Sequence, residues 1–164
     1  MAAAGRLQRV SKGLYALPDA EVSAFHSYAE VAAVVRRGVL CLFSALRFHG
    51  LTTQIVPDIW VAVSGSVWRP KNTPFPVRYV HMTGASFREG AEYHEIDGIR
   101  VAIFDPAKTV ADCFKYRNKI GMDVALEALR AYLKRYRGGA DELWRYARVC
   151  RITRILTPYL DASL

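Results

Sequence analysis

The sequence predicts an α+β fold: a small mixed or antiparallel sheet packed with about five helices and preceded by a short β-hairpin. Three observations carry that expectation. Apolar residues make up 52% of the 164, enough for one buried core. The hydrophobic pattern has a helical period toward both ends of the chain and alternates like strands between residues 52 and 100. Turn and cap signals fall at the changes of pattern: Asp97-Gly98 between two alternating runs, and Asp105-Pro106 ahead of a helical one.

Each element has its own local reason. "GRLQRVSKGLYAL" reads as a hairpin with arms at 7–10 and 14–17, and Ser11-Lys12-Gly13 as its loop. Ser27 followed by Glu30 forms a capping box that opens a helix over 27–37, stopped by Gly38. "VLCLFSALRFHG" predicts a second, mostly buried helix ended by Gly50. "DIWVAVS" and "VRYVHMT" are strands joined by the proline-rich loop "WRPKNTPFP". "YHEIDGIRVAIF" is a hairpin turning at Asp97-Gly98.

Helices then return. Asp105 caps "PAKTVADCFKYRNK", with Pro106 at its first helical position and Gly121 at its end. "MDVALEALRAYLKRYRG" sets Met122, Leu126, Leu129, Leu133 and Tyr136 on an apolar stripe. Asp123, Glu127, Arg130, Lys134 and Arg137 lie opposite, acids early and bases late as the helix dipole favours. A last helical stretch covers 141–160, with Pro158 near its end.

Composition narrows the function classes. A net charge of +8 favours anionic partners. The three cysteines, Cys41, Cys113 and Cys150, form no CxxC pair, which points away from a zinc site or disulfide framework and toward a reducing, cytoplasmic setting. The longest apolar run is short of the ~18 residues of a membrane span, and the start lacks the apolar centre of a signal peptide. Gly-rich phosphate loops, HExxH and GxSxG are missing. Glu92, His94, Glu95 and Asp97 are spaced like metal ligands, but strand alternation sends Glu95 to the other face and favours a solvated hairpin edge. Pro57-Asp58 lacks the following Glu-x-Lys of a metal-dependent nuclease. Asp112 is expected on a helix surface as a partner of Lys108 or Lys115. No catalytic, cofactor or metal residue is expected.

The basic residues are the informative feature. Residues 115–154 hold eleven Lys or Arg against four acids, nearly all of the chain's excess charge. Tyr116, Tyr132, Tyr136, Trp144 and Tyr146 lie among them, a mixture suited to a nucleic-acid surface or to a protein partner.

"GRLQRVSKGLYALP", "VLCLFSALRFHGLT" and "FDPAKTVADCFKYRNKIGMDVALEALRAYL", in that order, resemble the AbiEi antitoxin family of bacterial type IV toxin–antitoxin (abortive infection) systems. The resemblance implies a winged helix-turn-helix that binds operator DNA, followed by a domain that counteracts a nucleotidyltransferase-like toxin. Residues 1–20 then correspond to the wing of the first domain, its helices missing, and residues 21–164 to the antitoxin domain. Arg6, Arg9 and Lys12 match wing positions that contact phosphate. With Lys134, Arg135, Arg137, Arg145 and Arg148 on the later helices, they form the expected DNA-binding set. Lacking a recognition helix, such a protein binds DNA electrostatically, with steep salt dependence and little sequence preference. The expected partners are operator DNA and the cognate toxin, with no membrane. A protein-interaction module and a nucleic-acid-processing enzyme are the alternatives.

Overall fold

A computed structural model describes residues 8–11, 14–16, 24–66 and 69–164. Strands β1 (Gln8–Ser11) and β2 (Leu14–Ala16) pair antiparallel as a separate two-stranded ribbon. Arg9 faces Tyr15, and the register shifts before Ser11 meets Leu14. Ser11, expected in the loop, is therefore the last paired residue of β1, an irregularity of the bulge type.

The main sheet has five strands: β3 (Val39–Leu40), β4 (Ile59–Val63), β5 (Val77–His81), β6 (Ala91–Ile96) and β7 (Ile99–Phe104). Their spatial order is β5-β4-β3-β7-β6. β3 runs antiparallel to β4 and parallel to β7, while β4 and β5 are parallel and β6 and β7 antiparallel. The sheet is thus mixed. Asp97 and Gly98 both take positive φ, 50° and 81°, the paired left-handed turn that two-residue hairpins need.

Among the described residues, eight helices pack with the sheet: α1 (His26–Val34), α2 (Leu42–His49), α3 (Ala85–Arg88), α4 (Pro106–Lys115), α5 (Arg117–Ile120), α6 (Met122–Arg135), α7 (Ala140–Val149) and α8 (Thr153–Ser163). Strand alternation divides the core in two. Ile59, Val61, Val63, Val101 and Ile103 meet Tyr28, Ala29 and Val31 of α1 on one face. Trp60, Ala62 and Phe104 meet the larger cluster of α2, α4, α6, α7 and α8 on the other. β4, second in the sheet, is buried at all five positions because both of its faces are covered. No described helix is long and apolar enough to cross a membrane.

Several sequence expectations are corrected. α1 begins after Phe25 with no side-chain cap; Ser27 sits inside the first turn and Glu30 turns inward, buried. Burying Tyr28, Ala29 and Val31 outweighs the ~1 kcal/mol of a cap. Val39 and Leu40 are extended instead of helical because they bridge β4 and β7, which a helix cannot do. On α6 the buried line is Val124, Ala125, Ala128, Leu129 and Tyr132; Met122, Leu126, Leu133 and Tyr136 flank it half-buried. The small residues Ala125 and Ala128 of α6 and Ala107 and Ala111 of α4 are buried in the cluster that joins the two helices.

The helix count exceeds the expected five because two predicted helices break and α3 is added. α7 and α8 are separated by Arg151 at φ 60°, where Ile152 N donates to Ala147 O at 2.9 Å and Arg151 N to Arg148 O at 3.1 Å. That pair of bonds is a Schellman ending, sealed by the buried Ile152 against Ala147. The chain between α4 and α5 turns at Tyr116, where Arg117 Nη1 donates to the Phe114 carbonyl at 2.9 Å.

Candidate functional site

The segment 104–113 builds a buried polar centre. Asp105 caps α4: its Oδ1 accepts from Lys108 N at 2.7 Å, and its Oδ2 accepts from the Tyr146 hydroxyl at 2.7 Å. One helical turn on, Lys108 Nζ meets Asp112 Oδ2 at 2.6 Å with side-chain exposures of 0% and 1%. The sequence offers Lys108 or Lys115 as the surface partner of Asp112; the structure pairs Asp112 with Lys108 and puts both in the core. The ammonium also lies 3.8 Å from the centroid of the Phe104 ring, and Cys150 Sγ donates to Asp112 Oδ1 at 3.4 Å. Gly90, at φ 94°, lays its backbone on the lysine stem; a Cβ there would stand 2.7 Å from Lys108 Cγ.

Electrostatics follow from this burial. Desolvation raises the Asp112 pKa, opposed by the charge and hydrogen bond of Lys108. Burial and then the Asp112 charge push the thiols of Cys41 and Cys113 well up and that of Cys150 to about 12. Neutral thiols are poor nucleophiles. The cluster joins α4 to α7 and to the 90 turn, and neither surface concavity reaches it. It is a structural centre.

Two neighbouring contacts fix the loop after α2. His49 Nε2 donates to the Phe104 carbonyl at 2.8 Å, and burial lowers the imidazole pKa. Glu127 accepts from the hydroxyls of Thr52 and Thr53, both at 2.9 Å, and from Thr53 N at 3.3 Å. Those bonds, led by the Thr53 hydroxyl, lower the Glu127 pKa.

The expected DNA-binding residues are distributed as follows. Arg6 and Lys12 lie outside the described residues, and Arg9 is in β1. Arg135 closes the C-terminus of α2, its guanidinium donating to the carbonyls of His49 and Gly50. Arg145 bridges Glu89 at 3.2 Å and Glu142 at 3.4 Å and lies over the Tyr146 ring. Lys134, Arg137 and Arg148 are exposed and form no ion pair among the described residues. Lys134 follows the exposed Arg130 one turn along α6, and Arg137 lies just past the helix end, where the backbone at Tyr136 has left helical geometry. Arg148 is on α7.

The other candidates acquire partners of their own. Glu92 meets His94 at 3.4 Å, and the His94 ring packs 4.7 Å from that of Phe48. Asp97 takes His26 Nδ1 at 2.9 Å, and His26 Nε2 reaches the buried Glu30 at 3.5 Å. Among the described residues, no three His, Cys, Asp or Glu side chains gather as metal ligands. Asp58 pairs with Arg78 at 3.3 Å.

The sequence reading passed over the proline-rich connection between β4 and β5. There the surface opens into a depression of about 630 Å³, lined by Arg69, Lys71, Phe75 and Tyr79 among others. Phe75 divides it from a second hollow of about 80 Å³ beside Tyr28, Ser44 and Arg47. The signal available was Arg and Lys beside an aromatic residue in "WRPKNTPFP", read only as a loop.

No protein-family model matches the chain, and a comparison with curated proteins finds no match.

Proposed function

We propose that this protein is a non-enzymatic regulator, an AbiEi-like antitoxin that associates with DNA through charge and counteracts a nucleotidyltransferase-like toxin. The observation that carries the DNA part is the pair Arg130 and Lys134, one turn apart on α6, with Arg137 just past its end, all three exposed and without acidic partners among the described residues. Glu127, next along the same face, is bound by Thr52 and Thr53, so its charge is partly compensated. Arg148 adds a further open cation on α7, whereas Arg135 and Arg145 serve intramolecular contacts. The antitoxin part is supported by the resemblance of 104–133, the segment around which the larger core is built. The non-enzymatic part is supported by the sealing of Lys108, Asp112 and the three cysteines away from solvent.

A salt titration of duplex DNA affinity tests the reading. Each phosphate neutralised adds ~0.9 to the slope of log affinity against log salt, so Lys134→Ala/Arg137→Ala is expected to lower that slope by about 1.8. Equal slopes for the two proteins, or affinity indifferent to salt, would remove the DNA part. Co-expression with a nucleotidyltransferase-like toxin tests the antitoxin part; growth that is not restored would remove it.

A further inference from the structure

We propose that the depression beside β5 is a subsite for one base and the adjoining phosphates of a single-stranded nucleic acid. Among the described residues its lining includes the cations of Arg69 and Lys71 and no carboxylate. Neither cation has an ion-pair partner among the described residues. Phe75 stands between them and the smaller hollow, 36% exposed, a large apolar ring left open to water. A ring beside uncompensated positive charge matches the two halves of a nucleotide: a base stacks on the aromatic face while phosphate meets the cations.

The wall is also built in advance. The Tyr79 hydroxyl donates to the Pro70 carbonyl at 2.7 Å, and Thr73 Oγ1 donates to the Phe75 carbonyl at 2.6 Å. Prolines 70, 74 and 76 fix their own φ, so residues 70–76 lose less freedom on binding. A volume of about 630 Å³ lies within the range of small-molecule sites and admits a nucleotide. Bases paired within a duplex cannot enter without being flipped out, which favours single strands. A purely acidic chain such as polyglutamate would use the cations but has no ring to stack on Phe75. The site shares no residue with Arg130, Lys134 and Arg137, so it stands apart from the reading above.

The test is fluorescence anisotropy of labelled oligo(dT), twelve residues long, with the full chain. Binding at micromolar protein is expected. Phe75→Ala is expected to weaken it about tenfold while Phe75→Tyr retains it, because stacking survives the hydroxyl. Arg69→Ala/Lys71→Ala is expected to lower the salt slope by about 1.4, from ~0.7 per phosphate on single strands. Lys134→Ala/Arg137→Ala is expected to leave oligo(dT) affinity within about twofold, whatever happens to duplex binding. The proposal falls if oligo(dT) does not bind, or if Phe75→Ala with unchanged circular dichroism binds like the parent. It also falls if polyglutamate competes equally well, or if only the α6 substitutions matter.

Discussion

Removing one member of the Lys108–Asp112 pair is expected to destabilise the protein strongly, and removing both is not. At 2.6 Å the attraction is about 6 kcal/mol with an effective dielectric constant of ~20. Desolvation costs several kcal/mol for each ion, so the pair nearly cancels against apolar residues of similar volume. Asp112→Ala strands the ammonium in the core with the Phe104 ring as its remaining partner, and a loss of about 3–5 kcal/mol is expected. For a domain of this size that corresponds to a fall in Tm of roughly 6–20 °C. Lys108→Met/Asp112→Leu is expected within ~1.5 kcal/mol of the parent. Lys108→Met alone adds a pH signature. Its Asp112 keeps the burial that raises its pKa and loses the ammonium that lowers it. The native state then holds a proton that the unfolded state releases above its ordinary value of 3.8, so stability rises as pH falls from neutrality toward that value. Urea unfolding at several pH values, with thermal melts, measures all of this. A loss under ~1 kcal/mol for Asp112→Ala, or a double variant as unstable as the two singles added, would refute the reasoning.

Two further outcomes are expected. Burial lowers the pKa of His49, so between 6.5 and that lower value the unfolded state binds more protons and stability falls with falling pH. His49→Gln should flatten the urea midpoint between pH 5 and 7.5; an unchanged slope would assign that dependence to another group. Arg151 holds a left-handed conformation at φ 60°, which glycine adopts without a Cβ penalty. After allowance for the freer unfolded chain, Arg151→Gly should gain ~0.5–1 kcal/mol by denaturant titration, and a loss would show that the arginine side chain contributes there.

The elements read correctly from sequence are those whose cause is local. Asp105 caps α4 because its carboxylate reaches a backbone N–H three residues on, and Asp97-Gly98 turns because both residues tolerate positive φ. The residues of β4 and β5 were legible for the same reason, but their parallel pairing depends on a connection whose path the pattern does not encode. The misreadings were tertiary. Val39 and Leu40 have a helix-compatible pattern and became the bridge between β4 and β7. Glu30 satisfied a capping motif and was buried beside His26.

The candidate site divides in the same way. Composition and helical spacing alone placed the positive charge on the later helices; Arg130 and Lys134 stand exposed one turn apart on α6, while Arg137 lies in the turn beyond its end. Only the folded chain showed Arg135 turned onto the end of α2, Arg145 tied to Glu89, and Phe75 standing open beside Arg69 and Lys71. Spacing along one helix says which residues share a face; whether that face meets water, another helix or an acidic partner depends on residues distant in sequence. Lys108 and Asp112 are the sharpest case, four residues apart like any surface pair and sealed because α7 and the turn at Gly90 close over them.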